Sequence, residues 1–317
     1  MTIESFFKVV EIQTKLASVF PFIIGTLYSY YMYGIVKPLN IIIMFISLIC
    51  FDMATTAINN YMDYKKAIKK EGYGFEHHNG IVKYNLKKSE VITTILVLII
   101  IAVCAGIYLT YLTGWITLFI GVISFITGIL YSFGPIPISR MPLGEIFSGF
   151  FMGFIILFLS VYINIYDMSH ISMMIENWNI VLNLNIIEII KIFLISMPLF
   201  FSISNIMLAN NISDLEEDIA NKRYTLPYYL GKKNALNLWR NLYYISYADL
   251  LILMILGWMP WTTVIGLATI IPVTKHIGYF MKKQTKKDTF IYAVKNLGLI
   301  SISYIISLIL GIFFKSI

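Results

Sequence analysis

Nine long apolar runs separated by short polar stretches leave this chain few folds to choose from. They extend approximately from Leu16 to Tyr33, Leu39 to Ile58, Val91 to Leu112, Trp115 to Ser132, Leu143 to Ile165, Ile189 to Ala209, Leu238 to Leu256, Thr263 to Phe280 and Phe290 to Phe313. A helix needs about 20 mostly apolar residues to cross about 30 Å of hydrocarbon, and each run has roughly that length. The seventh is the weakest, because Asp249 interrupts it. With 58% hydrophobic and 13% charged residues among 317, there is too little polar surface to cover a soluble globule. The expected architecture is an all-α integral membrane protein with nine transmembrane helices.

Basic residues set the orientation, since cytoplasmic loops are enriched in Lys and Arg. With the N-terminus inside, the cytoplasmic face holds Lys8, Lys15, the lysines from Lys65 to Lys88, Arg140, the group from Lys222 to Arg240, and Lys275 to Lys295. The opposite face keeps Lys37, Lys191 and Lys315. The net charge of +7 is then a topology signal and a match to anionic lipid headgroups. Nucleic-acid binding is a poor reading, because the lysines are divided among short loops between the spans. The first fifteen residues mix Glu4, Lys8, Glu11 and Lys15 and do not read as a cleavable signal. Cys50 and Cys104 fall inside apolar runs, where a buried thiol acts as a small hydrophobe. No Cys or His pair has zinc-ligand spacing.

Chemistry enters with a polar phrase written twice. Asn59-Asn60-Tyr61-Met62-Asp63 and Asn210-Asn211-Ile212-Ser213-Asp214 both read Asn-Asn-x-x-Asp, each at the end of an apolar run. An ionisable group at mid-membrane costs about 2.5 to 3.5 kcal/mol on insertion scales, so a matched pair of such phrases argues for a site and for internal duplication. The halves run roughly from 14 to 132 and from 143 to 281, each a four-helix unit, with a ninth helix closing a single domain. On a helix continued past the membrane boundary, Asp214 and Asp218 lie one turn apart on one face and repel unless a cation sits between them. Mg²⁺ takes one or two protein carboxylates and completes its shell with phosphate oxygens and water. Asn59 with Asp63, facing Asp214 with Asp218, would form a two-walled oxygen-rich pocket, with Asn60, Asn210 and Asn211 alongside. Lys222 and Arg223 would neutralise phosphate charge, and the implied ligand is a diphosphate. Two other readings stay open: solvated helix caps, and a transporter built from internal repeats.

On these residues the sequence resembles the UbiA superfamily of intramembrane prenyltransferases, and within it the branch that prenylates 1,4-dihydroxy-2-naphthoate in menaquinone synthesis. The likeness runs from Thr14-Lys15-Leu16 and Phe20-Pro21 through the ninth run. Asn59 and Asp63 match the family's first acidic signature. Asp214, Glu216, Asp218, Lys222, Arg223, Thr225 and Leu226 match the second. Tyr131-Ser132, Pro135, Arg140, Gly144 and Glu145 match the segment between them. Asn60 stands where many members have Asp, the next expected acid falls on Ala67 or Lys69, and Tyr224 is an insertion. A lipid binder with reduced catalysis is the reading those departures motivate.

The resemblance implies Mg²⁺-assisted ionisation of a polyprenyl diphosphate and capture of the allylic cation by an aromatic acceptor. Asp63, Asp214, Asp218 and Tyr131 are then the catalytic candidates, and Asn59, Asp63, Asp214 and Asp218 the metal ligands. Tyr61 and Tyr131 are the aromatic residues marked by motif position for shielding the cation. Arg140 or Lys15 would meet an acceptor carboxylate. Acceptors such as 4-hydroxybenzoate, a haem or a glycerophospholipid precursor share the fold. A polyprenyl tail calls for a site open to the lipid bilayer, here that of a bacterial plasma membrane.

Overall fold

The computed structural model describes residues 1–66, 79–134, 137–168, 170–176 and 179–315. Ala67, Lys69, Glu71, Glu76, His77, His78 and Pro135 lie outside the described residues. Nine long helices occupy the nine apolar runs among them: α1 (Leu16–Tyr33), α2 (Pro38–Lys66), α3 (Lys88–Thr113), α4 (Trp115–Ser132), α5 (Gly144–Ile165), α6 (Ile186–Ser213), α7 (Lys232–Ile255), α8 (Trp261–Lys282) and α9 (Ile291–Lys315). Seven of them are long and apolar enough to cross a membrane, which makes this a multi-pass membrane protein. The two that fall short of the expected nine are α1 and α7. Four tyrosines and Pro21 dilute α1, while Lys232, Lys233, Arg240 and Asp249 dilute α7.

The described residues cluster into two compact units, Met1–Ser18 with Leu39–Pro137, and Val19–Pro38 with Ile138–Ile317. In the first unit α3 and α4 pack together across a one-residue turn at Gly114, whose φ of +91° suits a residue without Cβ. A short N-terminal helix, Ile3–Val9, delivers Val9 to a buried cluster with Ala57, Ile81, Val91 and Ile95. Ile100, Ile107, Phe119 and Ile126 point outward, as lipid-facing positions do. Cys50 is half-buried and Cys104 exposed, so Cys104 is not the buried thiol expected.

The second unit is organised around α6, which packs on α5, α7 and α9. Close approach of α5 depends on Gly153, where a Cβ would stand 2.6 Å from Phe200 Cα. Around this contact α5 adopts a π-helical stretch, Gly149–Ile155. Asn205 and Trp239 exchange hydrogen bonds of 3.0 Å with each other's backbone carbonyls, and Tyr304 Oη donates to Ile195 O at 3.0 Å. Asp249 lies buried within an unbroken α7 and does not interrupt it.

One element departs from the all-α expectation. Between α5 and α6, β1 (Ile171–Glu176) and β2 (Asn179–Leu184) pair antiparallel, with Ile171 opposite Leu184 and Glu176 opposite Asn179. The hairpin is closed by Asn185 N–H donating to His170 O at 2.8 Å. Its strands are six residues each and rich in Ile, Met, Val and Leu, a composition that suits extended backbone but is too short to stand out beside membrane-length runs.

Candidate active site

The first phrase lies on α2, which continues beyond its apolar run through Lys66. Asn59 and Asp63, four residues apart, are exposed on one face, and Asn59 Nδ2 makes a long 3.5 Å contact to Asp63 Oδ2. Ser132 Oγ donates to Asn59 Oδ1 at 2.9 Å, which brings the C-terminus of α4, with half-buried Tyr131, against the phrase. Asn60 faces elsewhere and is buried. Its Nδ2 donates to Val9 O at 2.8 Å and to Glu11 Oε1 at 3.3 Å, while its own carbonyl accepts from Asn79 Nδ2 at 2.8 Å. Tyr61 packs against the Val9 cluster.

The face carrying Asn59 and Asp63 continues back along α2 through Thr56 and Asp52. Lys15 is buried there, with Nζ 2.5 Å from Asp52 Oδ1, 2.6 Å from Thr56 Oγ1 and 3.1 Å from Asp52 O. Ser18 Oγ donates to the other Asp52 oxygen at 2.5 Å. All three ammonium protons of Lys15 are therefore engaged within its unit. Sequence reasoning missed Asp52, although a single acid within an apolar run was the available signal.

The second phrase is deeply set. Helix α6 ends at Ser213, Asp214 forms its cap with φ −99° and ψ 5°, and a separate short helix, Leu215–Ala220, follows. The helix is thus broken at Asp214 where a continuous one was expected. The turn still closes, because Asp218 N–H donates to Asp214 O at 2.7 Å, and the two acids keep their one-turn separation. Both are buried, as is Asn211, while Asn210 is half-buried. Glu216 and Glu217 are on the exposed side of the turn.

Beyond that turn the chain reverses in a Schellman arrangement: Arg223 N–H donates to Asp218 O at 2.8 Å and Lys222 N–H to Ile219 O at 3.1 Å. Lys222 takes the left-handed conformation that this motif requires, with φ +55°, a place usually filled by glycine. The reversal returns the Arg223 guanidinium to Asp218, Nη1 to Oδ1 at 3.3 Å, and leaves Lys222 exposed. Thr225 Oγ1 lies 3.5 Å from the other Asp218 oxygen, and Arg223 Nη2 lies 3.5 Å from Ser139 O in the Ile138–Arg140 turn. That places half-buried Arg140 next to a residue touched by Arg223. Lys286 pairs with Asp214 Oδ2 at 2.5 Å. Burial pushes the Asp218 carboxyl above its ordinary value. Arg223 and Lys286 draw it down, and Asp214 and Glu217 add to the rise.

Buried carboxylates flanked by basic side chains on a multi-pass helical scaffold define a membrane protein with a charged site. The UbiA prenyltransferase family matches residues 18–300, and the chain belongs to that family and is a prenyltransferase. It is 30% identical over 304 residues to the 1,4-dihydroxy-2-naphthoate octaprenyltransferase of Bacillus subtilis (strain 168), covering 92% of this chain and 90% of that protein. The fold is that of a UbiA homolog from Aeropyrum pernix K1 in its apo form, with a TM-score of 0.66, 16% identity and full coverage of both chains at 100%. It is also that of a UbiA homolog from Archaeoglobus fulgidus bound to GPP and Mg²⁺, with a TM-score of 0.63 and 14% identity over 97% of this chain and 99% of that one.

Proposed function

We propose that the enzyme transfers a polyprenyl group from its diphosphate to 1,4-dihydroxy-2-naphthoate, a step of menaquinone biosynthesis. The observation that carries this reading is the buried pair Asp214 and Asp218, each compensated by one cationic side chain. Two carboxylates at this depth need positive charge, and the relative from Bacillus subtilis supports the naphthoate as acceptor.

The donor set suits magnesium. Asp214 and Asp218 offer hard carboxylate oxygens, and Lys286, on an exposed and flexible stem, stands in for a cation at Asp214. Asp214 and Asp218 in one unit, and Asn59 and Asp63 in the other, are the proposed ligands. Magnesium bound at either set would supply Lewis acidity toward a leaving diphosphate. Arg223 and Lys222 bind diphosphate oxygens, Arg223 through its planar fork, so positive charge is in place where negative charge develops. Asn210 and Asn211, with Asn60 in the first unit, are the remaining amides of the phrases, Asn60 being engaged by Val9 and Glu11 and Asn211 by Glu145. Tyr131 offers a π face to the allylic cation, a contact worth about 0.5 to 2 kcal/mol. Arg140 meets the acceptor carboxylate ahead of Lys15, whose donors are engaged by Asp52 and Thr56.

The lysine distribution supports nine spans in two related halves, with the N-terminus and both phrases on the cytoplasmic side of a bacterial plasma membrane. The test is an assay of membranes containing the protein with Mg²⁺, radiolabelled polyprenyl diphosphate and a panel of aromatic acceptors, with and without EDTA. An EDTA-sensitive lipophilic product with 1,4-dihydroxy-2-naphthoate is expected. Product with a different acceptor alone overturns the naphthoate assignment, and product with none overturns the reading.

A further inference from the structure

Glu145 is in the first turn of α5, one turn ahead of the π-helical stretch Gly149–Ile155, and is 3% exposed. Its placement is fixed from two directions. Ser204 Oγ, on α6, donates to Glu145 O at 2.9 Å, and Asn211 Nδ2 donates to Glu145 Oε1 at 2.8 Å. The residue that orients this carboxylate is thus the second asparagine of the second phrase.

Two oxygens of this pair have no hydrogen-bond partner among the described residues: Glu145 Oε2 and Asn211 Oδ1, the latter on a residue only 1% exposed. A buried acceptor without a donor costs about 1 to 3 kcal/mol and is rare in native proteins. With Glu145 ionised both orphaned atoms are acceptors, and the group that completes them brings a proton or a positive charge. A π-helical turn beside them is a feature found frequently at functional sites. Asp218 is the charged group whose field reaches Glu145, and it already has Arg223 as its counter-charge.

We infer that Glu145, oriented by Asn211, accepts the hydroxyl proton of the aromatic acceptor during prenyl transfer. The inference rests on the proposed reaction, in which an acceptor hydroxyl is the donor that Glu145 Oε2 lacks. As the allylic carbon leaves its diphosphate oxygen and bonds to the ring carbon, the ring O–H bond breaks. Its proton passes to Glu145 Oε2 and its electron pair forms a ring carbonyl. The attacked carbon then loses its substituent, as a proton to the released diphosphate or as CO₂, and the electrons left behind restore the aromatic ring. Glu145 returns its proton to the ring oxygen. A proton acceptor positioned this way contributes typically about 10² to 10⁴-fold.

Glu145→Gln keeps the shape and the Asn211 contact but cannot take the proton. Turnover with 1,4-dihydroxy-2-naphthoate should fall about 100-fold at neutral pH. Prenyl diphosphate affinity and the Mg²⁺ concentration for half-maximal rate should be unchanged. The deficit should shrink as rising pH ionises the acceptor hydroxyl in solution, a recovery that a merely structural role would not produce. A pH-independent deficit, a shifted Mg²⁺ requirement or undiminished turnover in Glu145→Gln overturns the inference while leaving the proposed reaction standing. A wild-type protein that makes no product with any acceptor removes the reaction, and the inference with it.

Discussion

The two Asn-Asn-x-x-Asp phrases share their spelling and differ in nearly everything around them. In the first, Asn59 and Asp63 are exposed and Asn60 is spent on the backbone of Val9 and the carboxylate of Glu11. In the second, Asn211, Asp214 and Asp218 are buried, and Asn211 orients Glu145. Each second asparagine therefore holds a glutamate, but the first anchors an N-terminal segment and the second prepares a carboxylate with a free oxygen. Charge density and desolvation are concentrated at the second phrase, where electrostatic interactions are strongest. The contrast separates a phrase whose second asparagine braces its unit from one whose second asparagine orients a buried carboxylate.

The sharpest way to break this contrast is to remove the acids one at a time. Asp214→Ala and Asp218→Ala should each lower turnover about 10³-fold, the upper range for loss of a preorganised electrostatic group, while inserting normally into membranes. Asp63→Ala should cost about tenfold less, and prenyl-transfer rates on equal amounts of inserted protein decide the order. A larger loss from Asp63→Ala would reverse the ranking. Next in size is Asp52→Ala, which strands the buried Lys15 ammonium. It should destabilise the protein by about 3 to 5 kcal/mol, seen as an earlier thermal transition in detergent.

Asn60→Ala probes the bracing role alone. It should cost about 1 to 3 kcal/mol of stability through the stranded Val9 carbonyl and leave prenyl diphosphate affinity unchanged. A loss of affinity with stability intact would move Asn60 into the binding site. The smallest effect is a pH shift. The proposed metal binding needs Asp218 ionised, and burial holds its carboxyl above the ordinary range, so activity should fall as pH drops through that raised value. Arg223 draws the value down, so Arg223→Gln should move the acid limb of the rate profile to higher pH. An unmoved limb would mean that Asp218 does not govern it.

Much of the fold was legible because membrane-length apolar runs leave helices little freedom. The runs from Leu16 to Tyr33 and from Trp115 to Ser132 end where α1 and α4 end. Helix α2 outran its apolar stretch because Asn60 and Asn79 supply polar partners beyond it, which hydropathy alone does not register. The hairpin between α5 and α6 escaped notice because two six-residue strands carry a weak signal. Among the candidate residues, type and spacing pointed to Asp63, Asp214 and Asp218. The pairing of Lys15 with Asp52 joins residues 37 apart, and no local pattern encodes such a contact. The reversal at Lys222 was hidden for a related reason, since the chain lacks the glycine that announces a Schellman turn. Glu145 was visible as a motif position, but the role inferred for it rests on an oxygen without a partner among the described residues.

The most direct test of the contrast between the phrases is equilibrium binding of a polyprenyl diphosphate to purified protein as Mg²⁺ is titrated, comparing wild type, Asp214→Ala and Asn60→Ala. Magnesium-dependent binding that weakens at least about tenfold in Asp214→Ala and is unchanged in Asn60→Ala is the predicted result, each factor of ten being about 1.4 kcal/mol. Binding in Asp214→Ala that matches wild type at every Mg²⁺ concentration would contradict it.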